Sequence, residues 1–193
     1  MSKSNTWSAF YEATKSQPPS ELLVRALEYV EHRRKAIDVG AGALKDTRFL
    51  LDQGFEVMAI DKEHLMMHEA ETISSDRFHH LISSFADFNF PINEYDIASA
   101  MYALPFNPPE TFEAVFQRIK DSLIKGGIMC GQFFGVRDEW HEDQNMTFHT
   151  KEQIEALLSE MEILELQEKE WEGKLASGSP KHWHVFHFIA RKK

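Results

Sequence analysis

A single cysteine, Cys130, among 193 residues leaves no disulfide possible within the chain. The core must then be held by apolar packing, for which 42% hydrophobic residues suffice in one domain of this length. A lone thiol inside a predicted buried strand fits a packing role and a reducing, cytoplasmic setting. No apolar run nears the ~20 residues that span a bilayer, and Met1 to Trp7 has no apolar signal core, so a soluble protein is expected. Basic residues are scarce, 21 against 31 acidic ones, for a formal net charge of −10. That balance repels phosphate backbones on average, and no nucleic-acid partner is expected. The cations do not concentrate: Arg33, Arg34 and Lys35 are read as complementing a helix C-terminus, and Arg191 to Lys193 end the chain. No cysteine pairs with any of the ten histidines, and the H-x-H of His182 and His184 lacks the third ligand a zinc site needs, so no metal is expected. Repeats, low-complexity tracts and linkers are missing too, which predicts a single domain over 1–193, with an N-terminal segment and first helix in 1–35 and the core in 36–193.

What is present is concentrated near residue 40. Ala36-Ile37-Asp38-Val39 reads as a buried strand, Gly40-Ala41-Gly42 as a tight turn, Asp46 to Gln53 as a helix, and Glu56 to Asp61 as a second strand ending in an acid. Gly40 and Gly42 carry no Cβ, so the backbone can turn sharply and a bulky ligand can approach it. Asp61, at the carboxyl end of the second strand, can accept the hydroxyl protons of a ribose. A dinucleotide fingerprint would place a third glycine where Lys45 stands. Asp38 adds a carboxylate near the strand tip, poorly placed for a pyrophosphate and well placed for a cationic ligand. The spacing therefore predicts a nucleoside-like, partly positive ligand.

The chain resembles the class I S-adenosylmethionine-dependent methyltransferases. Their first motif, [D/E]-x-G-x-G, matches Asp38-Val39-Gly40-Ala41-Gly42, and their ribose-binding acid matches Asp61. Tyr95 to Ala100 looks like the family's fourth strand, and Leu123-Ile124-Lys125-Gly126-Gly127 like its L-x-x-G-G turn into the fifth. Leu44 stands where the family often has a third glycine. Within the class, the compact branch containing tellurite-resistance and thiopurine methyltransferases looks closest. The resemblance implies S-adenosylmethionine as cofactor, S-adenosylhomocysteine as product, and a small-molecule methyl acceptor. It further implies cofactor contacts from Asp38, Gly40, Ala41, Gly42, Asp61, Lys62, Ser84, Phe85, Ala100 and Met101, with Asp87 as a second choice for the adenine.

The elements read along the chain agree with an α/β, Rossmann-like sheet of seven strands, mostly parallel, with helices on both faces and an antiparallel last strand. Helices are expected over Glu21 to Arg33, His64 to Ser74, Pro109 to Ile124 and Thr150 to Met161, the last opening with a capping box. Strands are expected at Phe78 to Ser83, Tyr95 to Met101 and Ile128 to Phe134. Ile163 to Trp171 and His182 to Ala190 form a closing hairpin whose last strand is apolar on both faces. Methyl transfer from a sulfonium asks for in-line geometry and a dry pocket, and a base only if the acceptor is neutral. Candidates for acceptor chemistry are Tyr11, Tyr102, Arg137 as an anion clamp, and His141. The resemblance further implies that the N-terminal segment 1–35, with the aromatic cluster Trp7, Phe10 and Tyr11, can fold over the cofactor as a lid. Trp140 and Phe148 could line a pocket or meet a partner. Two alternatives stay open: a non-catalytic S-adenosylmethionine-binding module or partner subunit, and a nicotinamide-dependent oxidoreductase. The acceptor atom and the oligomeric state carry no readable signal.

Overall fold

The computed structural model describes residues 11–175 and 178–193. Its strands are β1 (Lys35–Val39), β2 (Glu56–Asp61), β3 (Phe78–Ile82), β4 (Tyr95–Ala100), β5 (Leu123–Gly135), β6 (Phe148–His149), β7 (Met161–Lys174) and β8 (Pro180–Lys192). They form one sheet in the order β3-β2-β1-β4-β5-β8-β7, with β6 paired beside the end of β5. The strands from β3 to β5 run parallel, and β8 lies antiparallel between β5 and β7. This is the expected Rossmann-like arrangement with one short extra strand, β6.

The reason for the parallel centre lies in the side chains. All six residues of β4 are buried, as are four of five in β1, so only a position covered on both faces suits them. Helices α1 (Glu21–Ala26) and α2 (Lys45–Asp52) cover one face, over Ile97, Ile128, Cys130 and Ile189. Helices α4 (Pro109–Ser122) and α5 (Lys151–Leu157) cover the other, where Phe112, Phe116 and Ile119 meet Met129, Phe133 and Phe188. Each such buried side chain contributes about 1.5–3 kcal/mol. The short α3 (Met66–Ala70) closes the β2 side. The capping box of α5 is present: Gln153 N–H donates to Thr150 Oγ1, and Thr150 N–H to Gln153 Oε1 at 2.8 Å.

Several bounds differ from expectation. Helix α3 keeps only Met66–Ala70 of the helix expected over His64 to Ser74, α5 ends at Leu157 short of Met161, and β5 begins at Leu123, taking in the expected L-x-x-G-G turn. Helix α1 stops at Ala26 and passes through a single 3-10 turn, Leu27–Tyr29, instead of running to Arg33. Buried Asp96 takes the chain away from the helix, accepting from the N–H groups of Arg34 and Lys35 and from the Arg34 guanidinium at 2.7 Å. Arg34 and Lys35 thus serve an ion-paired strand entry, Lys35 meeting Glu94, and not a helix dipole.

Beyond β5 the chain is pinned by a buried ion pair. Lys181 of β8 and Asp138 are both fully buried and bonded to each other. The Lys181 ammonium lies 4.3 Å from the Trp140 ring centroid and 4.2 Å from that of Trp183. Asp138 also accepts from Trp140 N–H at 3.0 Å and His184 N–H at 3.3 Å. Replacing Asp138 with Ala leaves the ammonium only His182 O at 3.0 Å and the two rings, and removes the acceptor of Trp140 N–H and His184 N–H. It is expected to cost about 3–5 kcal/mol in urea unfolding. Lys181→Met should cost less, since the carboxylate keeps its two backbone donors. Equal losses would contradict this account.

Candidate functional site

Open parallel sheets place ligands outside the carboxyl ends of their strands. Here that edge is assembled by backbone hydrogen bonds. Gly40 N–H and Ala41 N–H both donate to Ile60 O, at 2.8 and 3.0 Å, and Gly42 N–H donates to Asp61 Oδ2 at 2.8 Å. Asp61 Oδ1 accepts from Glu63 N–H at 2.9 Å, so the carboxylate is fixed at the tip of β2 with lone pairs to spare. Burial raises its pKa. Gly40 and Gly42 take positive φ, 75° and 51°, as the turn requires. Leu44 does the same at φ 61°, so a leucine follows the left-handed path that glycine would take, its side chain wholly buried.

The surroundings of Gly40 correct one expectation. A Cβ there would lie 2.4 Å from Ala103 Cβ and 3.2 Å from Phe85 Cζ, so the close approach that demands glycine is made by the loop after β4 and by Phe85. These two residues close directly over the glycine turn. Phe85 belongs to a loop held from α4, where Arg118 donates to the carbonyls of Phe85, Ala86 and Phe88 at 3.0–3.1 Å. In the same loop Ser84 Oγ donates to Asp87 Oδ2 at 2.6 Å, making one polar unit of the two adenine candidates. Lys62 is exposed beside Asp61, Ala41 is buried in the turn, and Ala100 is buried at the end of β4 with Met101 just beyond.

Asp38 needs a larger correction. Its carboxylate does not face outward: it is 2% exposed beneath the first turn of α2, accepting from Thr47 Oγ1 at 2.6 Å. Burial, and then the neighbouring Asp46, push its pKa up to about 7. It therefore carries less than a full charge near neutrality. Asp46 accepts from Ser20 N–H and Ser20 Oγ, both at 2.7 Å, and Lys45 donates to Ser20 Oγ at 2.8 Å. These bonds strap the segment before α1 to the glycine turn.

The acceptor candidates fare unequally. Tyr11 is buried near Asp61 and Glu63, and burial and their charges raise its pKa, so the phenol keeps its proton. Trp7 and Phe10 lie outside the described residues. Burial raises Tyr102 as well. Arg137 does not stand ready as an anion clamp, because Glu168 and Glu170 each hold it at 2.7 Å. His141 is exposed, with Nδ1 on Asp138 O at 3.0 Å, leaving Nε2 able to take a proton. Trp140 and Phe148 pack on a cluster of Phe134, Met146 and Val185 and are not free surface rings. His182 and His184 pair with Glu170, Glu172 and Glu168, and no group of three or more metal-type side chains gathers among the described residues.

Sequence reading passed over Gln132, Arg118 and the role of His187. Gln132 Oε1 accepts Tyr102 N–H at 2.7 Å, and Tyr102 sits at φ 53° with its ring edge-on to Trp183 and His187. The alternation along β8, which puts Trp183, Val185, His187 and Ile189 on one face, was the available signal.

Residues 36–127 match the model of a methyltransferase domain. Among solved structures, the chain is similar in fold to 1,6-didemethyltoxoflavin-N1-methyltransferase from Burkholderia thailandensis, with 1,6-didemethyltoxoflavin and S-adenosylhomocysteine bound. That likeness has TM-score 0.67 and 19% identity over 90% of this chain and 79% of the other. TehB from Haemophilus influenzae gives TM-score 0.76 and 16% identity over 95% of this chain and 66% of that one. An S-adenosylmethionine-dependent methyltransferase from Methanosarcina mazei gives 0.69 and 17% over 91% and 99%. No curated protein matches in sequence. No described helix is long and apolar enough to cross a membrane.

The buried carboxyl of Asp38 sets a pH dependence. A carboxyl whose pKa is raised by folding binds more protons in the folded chain, so stability falls as pH rises from 3.8 toward about 7. Asp38→Asn, which keeps an acceptor for Thr47, is expected to flatten that fall. Thermal melts of both proteins across this range test it, and parallel curves would refute it.

Proposed function

We propose that this chain, a class I S-adenosylmethionine-dependent methyltransferase by its fold and by the methyltransferase domain at residues 36–127, transfers a methyl group to a small-molecule acceptor. The observation that carries the reading is the glycine turn tied to Asp61, because it leaves a fixed carboxylate where a ribose diol can bind. The donor set fits the cofactor. Asp61 accepts the ribose hydroxyls, and the backbone of Gly40, Ala41, Gly42 and Lys62 lines the adjoining turn. The Ser84–Asp87 unit and Phe85 frame the base, and Ala100 and Met101 border the methionine side. Asp38 contributes from below, through Thr47 and the first turn of α2.

When bound, S-adenosylmethionine supplies an activated methyl group on a sulfonium. The protein's part is to orient the acceptor and exclude water. Tyr11 and Tyr102 hold their protons and Arg137 is neutralised, so of the four candidates only His141 can take a proton from a neutral acceptor. An acidic surface disfavours polyanionic substrates, and the small molecule bound to the Burkholderia protein supports a compact acceptor here. A cytoplasmic location accords with this reading.

Calorimetric titration with S-adenosylhomocysteine is expected to give micromolar binding and NAD none. Asp61→Ala should weaken binding by about 1.5–3 kcal/mol, the worth of hydrogen bonds to a charged group. Binding of NAD alone, or affinity unchanged by Asp61→Ala, would overturn the proposal.

A further inference from the structure

His187 lies on β8 directly opposite Gln132 of β5, on the sheet face that α1 covers. The Gln132 amide has its orientation set by the backbone. Tyr102 N–H donates to Oε1 at 2.7 Å, which turns the amide nitrogen toward Met101 Sδ at 3.6 Å and His187 Nδ1 at 3.5 Å. An amide nitrogen offers only protons, so Nδ1 is the accepting nitrogen and the neutral ring carries its hydrogen on Nε2. The ring is neutral at physiological pH, because burial, with Lys169 of β7 and Arg25 of α1 nearby, lowers its pKa to about 4. Nε2 is buried and has no partner among the described residues.

A buried donor without a partner is costly, and it calls for an explanation. Its position supplies one. Gln132 and His187 stand beside the Ala100–Tyr102 tip, next to the proposed methionine side of the site. The Tyr102 ring meets His187 at 6.3 Å and 90°, and Trp183 at 6.1 Å and 74°. Tyr102 holds a left-handed backbone, φ 53°, a strained conformation of the kind that clusters at functional sites. An unpaired donor beside the Tyr102 ring, which in turn meets Trp183, suits a flat ligand that accepts a hydrogen bond at its edge.

We propose that His187 Nε2–H is a hydrogen-bond donor that positions the methyl acceptor, and that the acceptor is a planar heteroaromatic molecule presenting a carbonyl oxygen or pyridine-type nitrogen to it. This rests on the methyltransferase reading and narrows its substrate class. His187 is then an acceptor-binding residue and not the base, since its one free lone pair is engaged by Gln132.

The test uses full-length protein saturated with S-adenosylhomocysteine, lumazine as a planar heteroaromatic probe, and histidine-labelled ¹⁵N NMR. Expected are the Nε2–H tautomer of His187 in the free protein and a shift of that nitrogen on adding lumazine. His187→Leu should weaken lumazine roughly three- to tenfold, the worth of one hydrogen bond, while leaving S-adenosylhomocysteine affinity unchanged. His187→Gln, whose amide can donate, should restore part of the loss, and circular dichroism melts confirm that both variants fold. The Nδ1–H tautomer, no lumazine binding, or lumazine binding indifferent to both substitutions would overturn the proposal while the cofactor still binds. Failure of S-adenosylhomocysteine to bind wild-type protein would instead remove the methyltransferase reading beneath it.

Discussion

Three successive backbone N–H groups, those of Gly40, Ala41 and Gly42, turn back onto the end of β2, and the carboxyl edge of the sheet depends on that one constraint. It forces positive φ at Gly40 and Gly42, and the left-handed turn at Leu44 then starts α2 at Lys45. The first turn of α2 follows as a consequence: Thr47 reaches down to Asp38, while Lys45 and Asp46 reach out to Ser20. Asp61 is held by two N–H groups before any ligand arrives, so little ordering of the carboxylate is left for binding to accomplish. Leu44 shows what this costs and how it is offset. A leucine in the left-handed region is strained by about 1–2 kcal/mol, and complete burial of its side chain returns about as much.

The far side of the sheet solves a different problem. β7 is an edge strand of 14 residues, and such an edge invites pairing with another chain. Five glutamates, at 162, 165, 168, 170 and 172, populate it and answer to cations on neighbouring segments, Arg191, Arg25, Arg137 and His182 among them. Both ring nitrogens of His182 face carboxylates, which raises its pKa, and Arg137 draws Glu170 down to about 2. The charges keep this hairpin anchored to its own sheet and unattractive to a second one.

Much of the fold was legible because it rests on local signals. The apolar strand, two glycines and the acid at Asp61 specify the βαβ start. The two-faced apolar character of β8 identifies an interior antiparallel strand, and Thr150 with Gln153 marks the start of α5. What escaped was decided by distant partners. The apolar spacing through Val30 favours helix, but Asp96, in β4, captures Arg34 and Lys35 and ends it. Asp38 reads as a tip carboxylate, yet its direction depends on Thr47, nine residues on. Arg137 reads as an available cation until β7 folds back with Glu168 and Glu170. Nothing in the local sequence of Gln132 announces that a backbone N–H thirty residues earlier fixes its amide.

The hairpin tip has one further property. Trp171 and Trp183 stack with centroids 5.8 Å apart and planes 11° from parallel, and Trp140 stands 5.9 Å from Trp183. Transition dipoles so close couple strongly, so the far-ultraviolet circular dichroism of the folded chain should contain an exciton contribution from these indoles in addition to its peptide signal. Only Trp7 stands apart in sequence from this trio. Intrinsic emission is thus weighted toward the end of the sheet where Lys181 sits between two of the rings, and the protein carries its own optical gauge of order in its last two strands.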